Sequence, residues 1–536
     1  MAVCRRFLFT LLSFAAFAAA AHGEVVLHRG NGVEPDSLDP HRAAGIWEHE
    51  IIGDMFMGLT QKTADGEVIP GSAESWTISD DGLVYTFTLR QDLVWSDGVP
   101  VTPGDFVFAW RRIIDPLTAA RYAALLYPVK NAYAINTGAL PPEQIGIRAV
   151  DPMTVEITLE NPAPYLPELL SHYVTFPIPP HVYAEYGEDW VKAGNMVSNG
   201  AYVLDEWLSN AHVKLVKNPL FYEADTVVID TVFFYPVEDS RTALKMFKAG
   251  ELDMNISTGG FPAPMIKELL EELPGEARVY PYLGNGILPF NTKKPPFNDV
   301  RVRKAVSMLI DRDIINNRIV AVGNISAYAF VPPQTANYIP GAQTDFASMT
   351  MAERRVEAKR LLAEAGYTDD NPLRFEISYR NSYDNTRRMS GIAAMLRQAG
   401  VVASIAPYET RISYTKLDQG DYEMGDAGWV ADYNDPYNFL YLLLCDAGPM
   451  NWPKYCNPEY DALIKKAANT LDMDERARLM SEAEQIMLND HPVAPIDFST
   501  HRNLVSRRVT GFEDNIQNLH PTRWMSFVDD AQAAQR

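Results

Sequence analysis

The sequence predicts a mixed α/β fold, and three observations carry that prediction. Some segments alternate like half-buried strands, others carry apolar residues at helical spacing, and the two kinds follow one another irregularly with no internal repeat. The first strand is Leu83-Val84-Tyr85-Thr86-Phe87-Thr88-Leu89-Arg90, which places Leu83, Tyr85, Phe87 and Leu89 on one face. Thr154 to Glu160 repeats the pattern with Val155, Ile157 and Leu159. Both read as antiparallel strands with one wet face. Between Asp299 and Val320 the spacing of Val302, Ala305, Val306 and Leu309 predicts one helix, capped by Asn298 or Asp299. A second helix is predicted over Ala352 to Ala365, with Ala358, Leu361, Leu362 and Ala365 on one face and Gly366 as its stop. Proline pairs at Pro141-Pro142, Pro295-Pro296 and Pro332-Pro333 mark loops between such segments.

Length and charge bound what those elements build. The chain has 536 residues, enough for roughly three domains at about 150 residues each. Aromatic residues make up 11 % and are spread along the whole chain, which argues against disorder. Asp and Glu number 69 against 47 Lys and Arg, a net charge of −22. A nucleic-acid binder needs a basic stripe, so that partner class is excluded.

The N-terminus differs from the rest. Arg5-Arg6 precedes an apolar run from Phe7 to Phe17, and Ala18 to Gly23 supplies small residues. That order predicts a secretory signal peptide over residues 1–23. The apolar run is too short for a membrane-spanning helix. Removing the signal leaves 45 basic against 69 acidic residues, a net of −24. It also leaves two cysteines, Cys445 and Cys456, with ten residues between them. In an oxidising compartment these predict one disulfide closing a short loop.

The search for catalytic chemistry returns nothing. The sequence has no nucleophile elbow, no zinc helix and no phosphate loop. Gly284-Asn285-Gly286 lacks the third glycine of a dinucleotide fingerprint. Neither a cofactor nor a metal is expected. One stretch is unusual: Gly428-Trp429-Val430-Ala431-Asp432-Tyr433-Asn434-Asp435-Pro436 runs from an apolar strand into a carboxylate. As plain structure it reads as a buried strand ending in an Asx turn, with Asp432 capping its own loop. As a site it reads as an exposed strand edge that pairs with an extended peptide, with Asp432 at its end to bind an ammonium group.

That stretch closely resembles the G-W-x-A-D-Y-N-x-P of periplasmic oligopeptide-binding proteins, the family 5 solute-binding proteins of ABC importers. Other segments resemble the family in the same order. They include Glu34 to Pro40, Ala73-Glu74-Ser75-Trp76, Trp95-Ser96-Asp97-Gly98, Asp105 to Trp110, Asn199-Gly200-Ala201-Tyr202, Pro295 to Arg303 and Leu361 to Tyr367. The likeness runs from about residue 25 to about residue 510.

The resemblance implies a two-lobed periplasmic-binding-protein clamp (type II, cluster C) with an extra inserted domain. Residues 24–46, 167–283 and 500–536 would form lobe I, residues 47–166 the inserted domain II, and residues 284–499 lobe III. It implies a periplasmic, monomeric, non-enzymatic protein that captures oligopeptides between lobes I and III and delivers them to the transmembrane subunits of an ABC permease. Residue by residue, Asp432 matches the carboxylate that receives the peptide α-amino group. Gly428, Trp429, Val430 and Ala431 match the ligand-pairing strand edge, with Tyr433 and Asn434 beyond it. Glu34, Pro35 and Asp36 match the facing segment. Phe108 stands where family members carry a tyrosine. Members often clamp the ligand carboxylate with arginines, one of them two residues before the Gly-Trp. Here that position is Asp426, and a comparable one is Leu417, so Arg387, Arg388 or Arg411 are the candidates for that role. The same departures keep a modified peptide, a murein peptide or another small charged solute open as ligands.

Overall fold

The computed structural model describes residues 23–256 and 260–528. All of the predicted signal segment except Gly23 lies outside the described residues, as does the end of the tail assigned to lobe I. The chain enters at strand β1 (Val26–Gly30) and soon builds a four-stranded antiparallel sheet. This sheet comprises β2 (Ala73–Ile78), β3 (Val84–Leu89), β4 (Ile147–Asp151) and β5 (Thr154–Thr158), in the order β2-β3-β5-β4. β3 and β5 are the two strands read from alternation, and they pair directly through Phe87 and Val155. Helix α1 (Pro103–Ile114) intervenes, burying Phe106, Ala109, Trp110 and Ile113 along one stripe. Its first turn is held by Asp105, which accepts from Thr102 N–H at 3.1 Å and from Trp95 Nε1 at 3.0 Å.

The chain then adds β6 (Tyr202–Leu208), β7 (His212–Lys217), β8 (Thr231–Tyr235), β9 (Met254–Asn255) and the long β10 (Ala277–Pro289). Helix α2 (Val300–Met308) starts on the Asp299 side chain, as the spacing predicts, but stops twelve residues early. The cause is Arg312, which is fully buried with no carboxylate in salt-bridge reach among the described residues. Its guanidinium takes the carbonyls of Ser307, Ile310, Ala327 and Pro495 at 2.7–3.1 Å, drawing two of them out of the helical ladder. Asp311 caps a fresh turn through Ile314 N–H, and residues Ile315–Val320 continue with wider spacing. Helix α3 (Met351–Glu364) is capped reciprocally by Thr350 and Glu353, and Gly366 follows it at φ +90°.

A second α/β unit follows. β11 (Arg374–Arg380), α4 (Tyr383–Gln398) and β12 (Val402–Tyr408) form a parallel crossover, and β13 (Met424–Gly425) pairs on the other side of β11. The chain continues directly into β14 (Ala427–Val430), then helix α5 (Met473–Asp490) and the long β15 (Val493–Val505). One large sheet ties the two ends of the molecule together. Its order is β14-β10-β15-β9-β1-β8-β7-β6, with β1 parallel to both neighbours and Ile325–Ser326 pairing β15 at the side.

The apolar cores divide along β10 and β15. One large core is built from residues between Leu27 and Ile256 with a few from the C-terminal end, and it joins the four-stranded sheet to the β1 side. Two others, centred on Phe290–Ile377 and on Phe439–Met487, fill the far side. β10 and β15 are the two strands that run from one region to the other. Their register slips between the pairs Pro281–Thr500 and Asn285–Phe498.

Candidate functional site

β14 is the edge of the large sheet, with β10 on one side and, among the described residues, no strand on the other. Gly286 and Gly428 make the pairing possible. A Cβ on Gly428 would sit 2.6 Å from the Asn285 carbonyl oxygen, and one on Gly286 would sit 2.8 Å from an Asp497 carboxylate oxygen. The incomplete G-x-G of the sequence therefore serves close backbone approach. Its Asn285 fixes two neighbours, donating to Phe330 O at 2.7 Å and accepting from Trp429 N–H at 3.2 Å. Ala431 N–H donates to Leu283 O at 2.9 Å. Antiparallel alternation then turns the main chain of Trp429 toward β10 and that of Gly428 and Val430 toward the open side. The Val430 side chain is half exposed. Trp429 folds back, donating from Nε1 to Asn438 Oδ1 at 2.8 Å.

Beyond the strand, the loop is fixed from several directions. Asp435, not Asp432, closes the Asx turn, accepting from Tyr437 N–H at 2.9 Å. Both of its oxygens also receive Arg476 at 2.7 Å in a fully buried bidentate pair. Tyr433 stacks on Tyr165 with centroids 4.7 Å apart, and Asn434 N–H donates to Glu168 Oε1 at 3.0 Å. Glu168 is itself paired with Lys62. Asn434 Oδ1 accepts from Ala336 N–H at 2.8 Å. The 433–435 turn is thus held by residues on both sides of β10.

Relieved of capping, the Asp432 carboxylate has no hydrogen-bond partner among the described residues. It lines a cavity of about 290 Å³ whose other walls include Ile46, His49, Tyr122, His172, Tyr173 and Tyr282. Burial without a compensating bond raises its pKa to about 6. Burial pushes the two imidazoles the opposite way, His49 to about 3 and His172 well below its usual value. Near neutral pH the cavity therefore holds one anionic side chain among neutral rings. His49, His172 and Tyr173 pack edge to face or tilted at 4.4–5.0 Å, which fixes that wall. A carboxylate lacking donors and framed by aromatic faces suits a cation with N–H groups of its own. A smaller cavity of about 60 Å³ behind it, sharing His49 and Leu519, has room for no more than a few waters.

The other candidates lie elsewhere. Glu34 accepts from Trp207 Nε1 at 2.8 Å, Pro35 is buried, Asp36 is exposed, and none lines the Asp432 cavity. Phe108 packs on Tyr183 at 5.8 Å. Arg411 is exposed at a helix start, and Arg387 lies over the Tyr383 ring at 5.4 Å. Arg388 is mostly buried and paired with Asp497 at 3.4 Å. Leu417 belongs to a core. Asp426 is fully buried and carries Arg380 at 3.1 Å, a residue that sequence reasoning missed. Its place at the C-terminal end of a parallel strand was the signal available, because such ends face ligand crevices. Cys445 and Cys456 are bonded, with Cα atoms 4.5 Å apart.

Comparison with known proteins gives concordant likenesses. Residues 67–451 match the family described as bacterial extracellular solute-binding proteins, family 5 Middle. The chain is 37 % identical over 511 residues to the periplasmic oligopeptide-binding protein OppA of Escherichia coli K12, covering 94 % of this chain and 92 % of that one. Among solved structures, the unliganded open form of the periplasmic murein tripeptide-binding protein MppA superposes with a TM-score of 0.86 at 33 % identity, covering 95 % and 99 % of the two chains. Haemophilus influenzae OppA in complex with RPPGFSPFR gives 0.76 at 33 % identity, covering 95 % and 100 %.

Proposed function

The chain belongs to family 5 of the bacterial extracellular solute-binding proteins, and on that premise we propose that it captures oligopeptides in the periplasm and hands them to an ABC permease. The protein is a binding protein and not an enzyme. The ligand lies extended along the open side of β14, exchanging main-chain hydrogen bonds with Gly428 and Val430. Its α-ammonium group enters the aromatic cavity and pairs with Asp432. Main-chain pairing is indifferent to side-chain identity, so one site serves many sequences. The observation that carries this reading is the Asp432 carboxylate, half-buried and without a hydrogen-bond donor among the described residues, where an open strand edge ends. The 433–435 turn is tied to Tyr165 and Glu168, so the amine pocket is assembled before the lobes close on the remainder of the ligand. Lobe I (24–46, 167–283, 500–536), domain II (47–166) and lobe III (284–499) are the bodies that move about β10 and β15. The working unit is a monomer, and nucleic acid is not a partner.

A murein peptide is the second reading, supported by the superposition on the open murein tripeptide-binding protein and by an acid at Asp426. Native mass spectrometry of protein released from the periplasm tests both. Co-purified masses of tri- to pentapeptides are expected, whereas masses carrying amino-sugar or diaminopimelate residues would select the second reading. Protein that carries no peptide and gives no heat with a tri- to pentapeptide pool would overturn the proposal.

A further inference from the structure

We propose that Arg380 is the residue that receives the ligand's terminal carboxylate, held in place for that purpose by Asp426; this rests on the peptide-binding reading above. Asp426 immediately precedes β14, and its carboxylate is fully buried. A buried carboxylate needs a cation, and Arg380 supplies it from the last position of β11 through Nε at 3.1 Å. Nε is the only guanidinium nitrogen of Arg380 that bonds a protein atom among the described residues. Both Nη groups, the pair that grips a carboxylate in bidentate fashion, are left over. The side chain is 28 % exposed and its guanidinium lies 5.5 Å from the Tyr414 ring, which supports it from one side.

A second pair stands on the same wall. Asp497, buried beside Gly286, accepts from Asn324 Nδ2 at 2.7 Å and faces Arg388 Nη2 at 3.4 Å. Arg388 Nε, Asp426 Oδ1 and Asp497 Oδ2 are all buried and make no hydrogen bond among the described residues, although Asp497 Oδ2 is the oxygen that faces Arg388 Nη2. Each acid thus neutralises one guanidinium, and the donors left for a ligand are the two Nη groups of the partly exposed Arg380.

Position then sets polarity and length. Asp432 and Asp426 bracket β14, six residues apart along a chain that is extended through most of that span. At about 3.3 Å per residue the two ends are roughly 15–20 Å apart. A ligand with its amine at Asp432 and its carboxylate at Arg380 runs antiparallel to β14, and about four or five extended residues fill the distance.

The test is calorimetry on the whole protein with tri-, tetra- and penta-alanine, each as free acid, C-terminal amide and N-acetyl form. The free acid is expected to bind at least tenfold tighter than the amide at four or five residues and less selectively at three, with the gap narrowing in 1 M salt. Arg380→Gln should reduce the gap to within twofold while leaving the penalty for N-acetylation intact, and Arg380→Lys should restore part of it. Equal binding of acid and amide by the wild-type protein, which needs no variant, would overturn the role of Arg380 alone if N-acetylation still weakens binding. An undiminished gap in Arg380→Gln would do the same. Failure of every alanine peptide to bind would overturn both this inference and the reading beneath it.

Discussion

Asp432, the proposed amine receptor, illustrates how a binding residue would be maintained against the stability of the free protein. Burial holds its carboxyl at about 6 with no hydrogen bond to offset the cost. An acid whose folded pKa is raised leaves the native state fully stable only below the unfolded value near 3.8. Stability then falls as pH rises toward 6, and the loss persists above it. Asp432→Asn should therefore raise the melting temperature of ligand-free protein at pH 7, by the equivalent of about 2 kcal/mol, with little change at pH 4. The same shift governs capture. An incoming ammonium needs the ionised form, so peptide affinity should fall about tenfold per unit as pH drops below 6. His49 is already neutral well above its pKa of about 3, and Glu50, near 7, is engaged with Arg29 at 2.6 Å. Absence of the pH dependence in Asp432→Asn identifies the titrating group.

At the scale of elements, the 433–435 turn does the positioning. Its anchor is the Asp435–Arg476 pair, fully buried on both sides. Removing one partner strands the other charge, so Asp435→Ala should cost about 3–5 kcal/mol in chemical denaturation. Glu168→Ala removes the acceptor of Asn434 N–H and the partner of Lys62. It should weaken peptide binding several-fold with a smaller loss of stability, which paired calorimetry and melting curves separate.

The elements were legible where a single face decides them. Alternation in Leu83 to Arg90 reports a half-buried strand directly, and Gly366 at φ +90° reports a helix stop. The break after Met308 was hidden, because it depends on Arg312 reaching carbonyls as distant in sequence as Pro495. The site shows the same division. The Asp432 motif lies in one contiguous stretch, but its cavity is completed by Tyr122, His172 and Tyr282, contributed by three remote segments. Asp426 read alone only as an acid where the family often carries an arginine. Its meaning changed once Arg380, 46 residues away, was seen to pair with it.

For the whole molecule, β10 and β15 run between the core on the β1 side and the two cores on the far side, and the cavity proposed to take the amine lies at the end of the β14 edge. The Cys445–Cys456 bridge closes a loop in the third core's neighbourhood, 11 residues apart in sequence. Replacing both cysteines by serine should lower stability by about 2–3 kcal/mol and leave peptide affinity within twofold, because neither cysteine lines the Asp432 cavity.

The central claim is that the ligand's amine is recognised by Asp432 at the end of the β14 edge. The most direct measurement is the affinity of one tetrapeptide and its N-acetyl form for wild-type protein and for Asp432→Asn at pH 7. The account predicts that acetylation weakens wild-type binding by at least tenfold and barely changes binding to the variant, so the two losses do not add. Equal acetylation penalties in the two proteins would contradict it.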